Sequence, residues 1–225
     1  MKQAPSLISI SRQIKQKKDI GKIAEQVIQN PGLIEEIINA LKTERSALKF
    51  GFEKTLRLIS EKAPELIYPY FEDYVNLLDS ENNFLKWGAI LTIANLASVD
   101  SENKFEKIFG KYYSPVNGPV MISAANVVGN SWKIVNAKPE LAGKIVHEML
   151  KVQNAEYINR GEVSPECKNV VCGHAVDSFA KFFDKIMNKI PVLEFVNAQL
   201  NSPRAPVRKK AGKVFKQIFI GSLIK

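Results

Sequence analysis

Cys167, Cys172 and His174 are the densest group of metal or redox ligands in the sequence. On a helix, residues 167 and 174 share a face, whereas 172 points about 140° away from 167. Three ligands from that run cannot converge on one ion, and His147 belongs to no motif, so no metal is expected. Two cysteines five residues apart form no disulfide framework, which fits a reducing, cytoplasmic setting. With two histidines in 225 residues, histidine-dependent acid–base chemistry has little to draw on. The chain carries no phosphate-cradling Gly-x-x-x-x-Gly-Lys, no Gly-x-Ser-x-Gly elbow and no His-Glu-x-x-His. The sequence therefore predicts a protein without a catalytic residue or a cofactor.

Residues suited to binding are more plentiful. The formal net charge is +9 and the isoelectric point about 9.4, a balance compatible with contact to nucleic acid or anionic lipid. Arg204, Arg208, Lys209, Lys210, Lys213, Lys216 and Lys225 have no acid among them. Residues 209, 213 and 216 share one helical face that is suited to tracking phosphates. No aromatic residue is interleaved on that face, which argues against a stacking platform for single strands. The segment 12–22 is a second basic stretch, through Arg12, Lys15, Lys17, Lys18 and Lys22. Trp87 follows Lys86 and Trp132 precedes Lys133. Each pair is either an aromatic-plus-cation contact for a partner or core filling. Asn95, Asn126 and Asn130 stand in otherwise apolar helices, so they either brace adjacent units or face a groove.

The elements that position these residues are legible from punctuation and period. First-helix candidates are 31–42, 64–79, about 101–113, 139–153 and 191–201; their partners are about 44–62, 81–98, 118–135, 165–187 and 204–219. Pro31, Pro64, Pro139 and Pro191 stand at starts, where a missing N–H costs nothing. In each partner helix the positions 0, +4 and +8 are apolar: Leu48/Phe52/Leu56, Leu85/Ala89/Ile93, Val120/Ala124/Val128, Val171/Ala175/Phe179 and Val207/Ala211/Phe215. That is one stripe on one face. The origins recur at intervals of 37, 35, 51 and 36 residues, which places an insert near 154–166. Gly51, Gly88, Gly129 and Gly173 permit close approach of neighbouring helices. Residues 1–30 read as an N-terminal cap of one or two helices, and no apolar run is long enough for a membrane span.

The run Leu200-Asn-Ser-Pro-Arg-Ala-Pro-Val-Arg-Lys-Lys-Ala211 resembles a HEAT repeat, and 41–52 and 78–89 resemble it more loosely. The resemblance implies an all-α, right-handed superhelical solenoid of about five helical pairs, with 1–225 as a single repeat domain. It also implies that Lys49, Lys86 and Arg208 form a basic ladder paired with acids of the inter-helix turns, Asp79 among them. Met121 and Cys172 replace the basic residue in units three and four. HEAT-like DNA-alkylation glycosylases use tryptophans and a catalytic aspartate, but no Trp-Asp motif follows Trp87 or Trp132 here, and no catalytic residue carries over. The expected function is a non-enzymatic module that binds a protein partner through Lys49, Lys86, Trp87, Asn95, Asn126, Asn130, Trp132 and Lys133. The alternatives are sequence-independent nucleic-acid binding through Arg204, Arg208, Lys209, Lys213 and Lys216 with the 12–22 segment, and a glycosylase-like enzyme, which would need an acid beside Trp87 or Trp132 in the fold.

Overall fold

Polar side chains start several of the helices. In α1 (Leu7–Lys15) and α2 (Ile20–Ile28), the Ser6 hydroxyl and the Asp19 carboxylate accept the backbone N–H groups of Ser9 and Lys22. Each bond satisfies one donor that a helix start leaves orphaned. After α3 (Leu33–Thr43) comes α4 (Leu48–Lys62), which begins four residues later than the sequence boundary of 44. The Glu44 carboxylate accepts the Ser46 N–H at 2.7 Å and holds that segment in a turn. Pro64 opens α5 (Pro64–Ile67), a 3₁₀ turn over Tyr68–Tyr70 follows, and α6 (Phe71–Leu77) completes the first helix of the second pair. Its partner is α7 (Asn83–Leu96), capped by Asn82.

The remaining elements are α8 (Lys104–Tyr113), α9 (Met121–Ala137), α10 (Ala142–Leu150), β1 (Ile158–Asn159), β2 (Glu162–Val163), α11 (Pro165–Phe182), α12 (Ile190–Gln199) and α13 (Ala205–Leu223). This computed structural model describes residues 5–223 and is all-α apart from the short hairpin. Its contacts divide the chain into two compact units, Met1–Phe105 and Glu106–Lys225.

In the first unit α4 is the hub, packing against α1, α2, α3, α5 and α7. Phe52, Leu56 and Ile59 of α4 are buried with Ile23, Ile37 and Ile93. Truncating a leucine in such a core costs about 2–5 kcal/mol. Leu48, the first residue of the α4 stripe, is only half-buried. A Cβ on Gly51 would come within 2.2 Å of Ile14 Cγ2, so the glycine lets α1 lie directly on α4. Near the end of the unit the Asp100 carboxylate accepts the Tyr68 hydroxyl at 2.6 Å and the N–H groups of Lys104 and Phe105 at 2.9 Å.

In the second unit α11 packs between α9 and α13, and α12 closes on α13. Val128, Val171, Phe179, Val196 and Val207 form the core. Val120, the expected origin of the third stripe, is instead the residue before α9 and 39% exposed; the buried face runs through Ala124 and Val128. The insert near 154–166 is the β1–β2 hairpin. Its turn residues Arg160 and Gly161 have φ of 53° and 87°, the successive left-handed pair of a tight hairpin turn. Tyr157 anchors it, being fully buried with its hydroxyl donating to Val116 O at 2.8 Å.

Candidate interaction surface

Burial of Leu85, Ala89 and Ile93 turns the other face of α7 outward and places Phe84, Trp87 and Leu91 on it. Phe84 is 63% exposed, at the first turn of the helix, where Asn82 fixes the backbone. Its ring lies 5.4 Å from that of Phe50 on α4 and 5.2 Å from that of Trp87, at 56° and 64° to them. The three rings form one aromatic ridge across the N-terminal ends of α4 and α7. Lys49 Nζ sits 5.4 Å from the Phe50 ring centroid, a cation–π contact. Lys86 is half-buried between Leu85 and Trp87, and Lys54 is exposed one turn beyond Phe50. Phe50 and Phe84 were not singled out by the sequence. Trp87 gave the position, but a phenylalanine at a helix start reads equally as core.

Glu53 was also invisible in the sequence, since one acid between Phe52 and Leu56 looks like a solvated position. It is buried, and its carboxyl rests on Gly88, where a Cβ would meet Glu53 Oε1 at 2.0 Å. Burial pushes its pKa up to about 7, against the lowering effect of Arg57, whose Nε lies 3.3 Å from Oε1. Below about pH 4.5 the carboxyl is protonated in both folded and unfolded chains, and its stabilising contribution is fully present. As the pH rises from there through 7, the unfolded chain releases the proton first and stability falls. The expected loss is on the order of 3 kcal/mol and is absent in Glu53→Gln, as chemical denaturation at pH 4.5 and 8 would measure.

Asn95 faces inward. It is buried, and its Nδ2 donates to Ser60 Oγ at 2.9 Å, bracing α7 against α4 instead of facing a groove. Of the expected ladder, Lys49 contacts a ring and Arg208 reaches carbonyls, donating to Ser202 O and Pro203 O at 2.7 and 2.9 Å. Arg208 thus finishes the turn after α12 without an acid.

In the second unit, Trp132 is half-buried with Lys181 Nζ 4.4 Å and Lys133 Nζ 5.9 Å from its ring centroid. Its backbone N–H donates to Ser178 Oγ at 3.2 Å, which ties α9 to α11. Asn130 is half-buried and bonds back to Asn126 O within α9. Arg204, in the turn before α13, pairs with Glu166, and Lys210 of α13 pairs with Asp177, so part of the basic C-terminal segment is engaged with α11. Lys209, Lys213 and Lys216 remain exposed on one face.

Cys167 and Cys172 are buried free thiols, and burial pushes the Cys172 thiol up to about 11, away from reactive thiolate chemistry. His174 stands apart from them, against Gly129 on α9. No cluster of three metal-ligating side chains occurs among the described residues, and no described helix is long and apolar enough to cross a membrane. Nothing among protein-family models, curated proteins or solved structures matches the chain.

Proposed function

We propose that the protein is a non-enzymatic interaction module of HEAT-like helical pairs, arranged as a solenoid, which binds a protein partner through its second helices. The observation that carries this reading is the ridge of Phe50, Phe84 and Trp87. Phe84 stands 63% exposed beside the half-buried rings of Phe50 and Trp87, and aromatic side chains dominate the centres of protein interfaces. The Phe84 ring meets Trp87 edge to face and is tilted against Phe50, a geometry that accepts a side chain between them but gives successive bases no parallel faces.

The exposed row Lys209, Lys213 and Lys216 favours a second reading, sequence-independent contact with phosphates. Fluorescence anisotropy with a labelled duplex and a labelled single strand, from about 50 to 200 mM salt, separates the two. On the protein-binding reading, any oligonucleotide binding disappears in Lys209→Glu/Lys213→Glu and is unchanged by Phe84→Ser. Oligonucleotide binding that Phe84→Ser abolishes would reassign the ridge to nucleic acid.

A further inference from the structure

We infer that the ridge recognises an acidic segment of its partner, with Asp or Glu on both sides of one aromatic or aliphatic anchor; this rests on the protein-binding reading above. The anchor follows from the ring geometry. Phe84 is 63% exposed and is flanked at just over 5 Å by Phe50 and Trp87, so an apolar side chain laid on it gains contact with all three rings.

The sign of the flanking charge follows from what surrounds the rings. Lys49, Lys54 and Lys86 carry the cations of this surface, and none of them is in an ion pair with a described carboxylate. Arg45 is exposed in the turn before α4. The acids of the same two helices are already committed. Glu53 is buried against Gly88 and paired with Arg57, and Glu61 is also on Arg57. Glu44 holds the Ser46 N–H, with its carboxylate below the usual range through that bond. Asp79 and Glu81 lie in the turn before α7. Three ammonium groups are therefore presented beside an apolar surface, while on α4 the Glu53 carboxyl is buried and the exposed Glu61 is held by Arg57. Arg45, Lys49, Lys54 and Lys86 outnumber the exposed Asp79 and Glu81 of the turn before α7, so a basic segment would meet net repulsion here, and like charges across an interface exclude partners more strongly than matched ones attract them. Each exposed pair contributes modestly, so the three lysines together give about a tenfold preference, screened by salt.

The test is selection of a random dodecapeptide library on the full chain, with Phe84→Ser as counter-selection, followed by anisotropy with the enriched peptides. The expected result is Phe84-dependent peptides rich in Asp and Glu around one Trp, Phe, Leu or Ile. They should bind Lys49→Glu/Lys86→Glu at least tenfold more weakly, weaken between 50 and 200 mM salt, and bind Lys209→Glu/Lys213→Glu as the parent. Circular dichroism equal to that of the parent shows that the charge-reversed chain is folded, and Lys54→Glu gives a second variant on the same surface. Phe84-dependent peptides that are neutral or basic, or that tolerate charge reversal, overturn the acidic preference and leave the protein-binding reading standing. If no peptide depends on Phe84, or a single-stranded oligonucleotide competes through Phe84, both are overturned.

Discussion

Gly88→Ala is expected to destabilise the first unit by about 2–3 kcal/mol, although the same exchange in an exposed helix interior stabilises by up to about 1 kcal/mol. The added Cβ would lie 2.0, 2.3 and 2.7 Å from Glu53 Oε1, Cδ and Cγ. Either the buried carboxyl leaves its place or α7 moves off α4, and the second course separates Phe84 from Phe50. In a Glu53→Ala background the obstacle is gone, so the same substitution should recover the helix-propensity gain and become stabilising. The sign reversal is a coupling of about 3 kcal/mol between two residues in contact, read from a double-mutant cycle in urea. Equal effects in both backgrounds would show that Glu53 does not occupy the space above Gly88.

Asp100→Ala should cost about 3–5 kcal/mol. Its carboxylate accepts the Tyr68 hydroxyl and two N–H groups at the start of α8, and Phe105 and Asp100 are both buried. Removing it takes away a helix cap and leaves three donors without that acceptor, each loss being on the order of 1 kcal/mol or more. Asp100→Asn keeps one good acceptor and turns an NH₂ toward a donor, so it should recover only part of the loss. Tyr68→Phe removes a single bond and should cost about 1 kcal/mol. Urea unfolding of the three variants checks the order, and an Asp100→Ala loss no greater than that of Tyr68→Phe would contradict the cap.

The helical pairs were legible because their signals are local. Pro64, Asn82 and the apolar stripe of α7 fix a start, a cap and a face within a few residues, and the observed helices fall close to the expected ranges. The close approaches were legible too. Gly51, Gly88, Gly129 and Gly173 each lie against a side chain of another helix, namely Ile14, Glu53, His174 and Val207. The identity of those neighbours was not legible, because it depends on how one helix is rotated against the next. That is why Glu53 escaped notice and why Asn95 became a brace. The same limit separates Arg204 and Lys210, which pair with Glu166 and Asp177, from Lys209 and Lys213, which do not. In the sequence all four are equivalent charges. The ridge needed α4 and α7 side by side before Phe50, Phe84 and Trp87 could be seen as one surface.

The central claim is that this ridge receives a protein. It is tested most directly by placing the photo-crosslinking residue benzoylphenylalanine at position 84 of the full chain, with a control at exposed Asn39 on α3. Both chains are irradiated in an extract of the source cells, with and without nuclease. The account predicts a discrete protein adduct from position 84 that survives nuclease, is absent from position 39 and is lost on adding Trp87→Ser. No adduct beyond that of position 39, or one consisting only of nucleic acid, would contradict it.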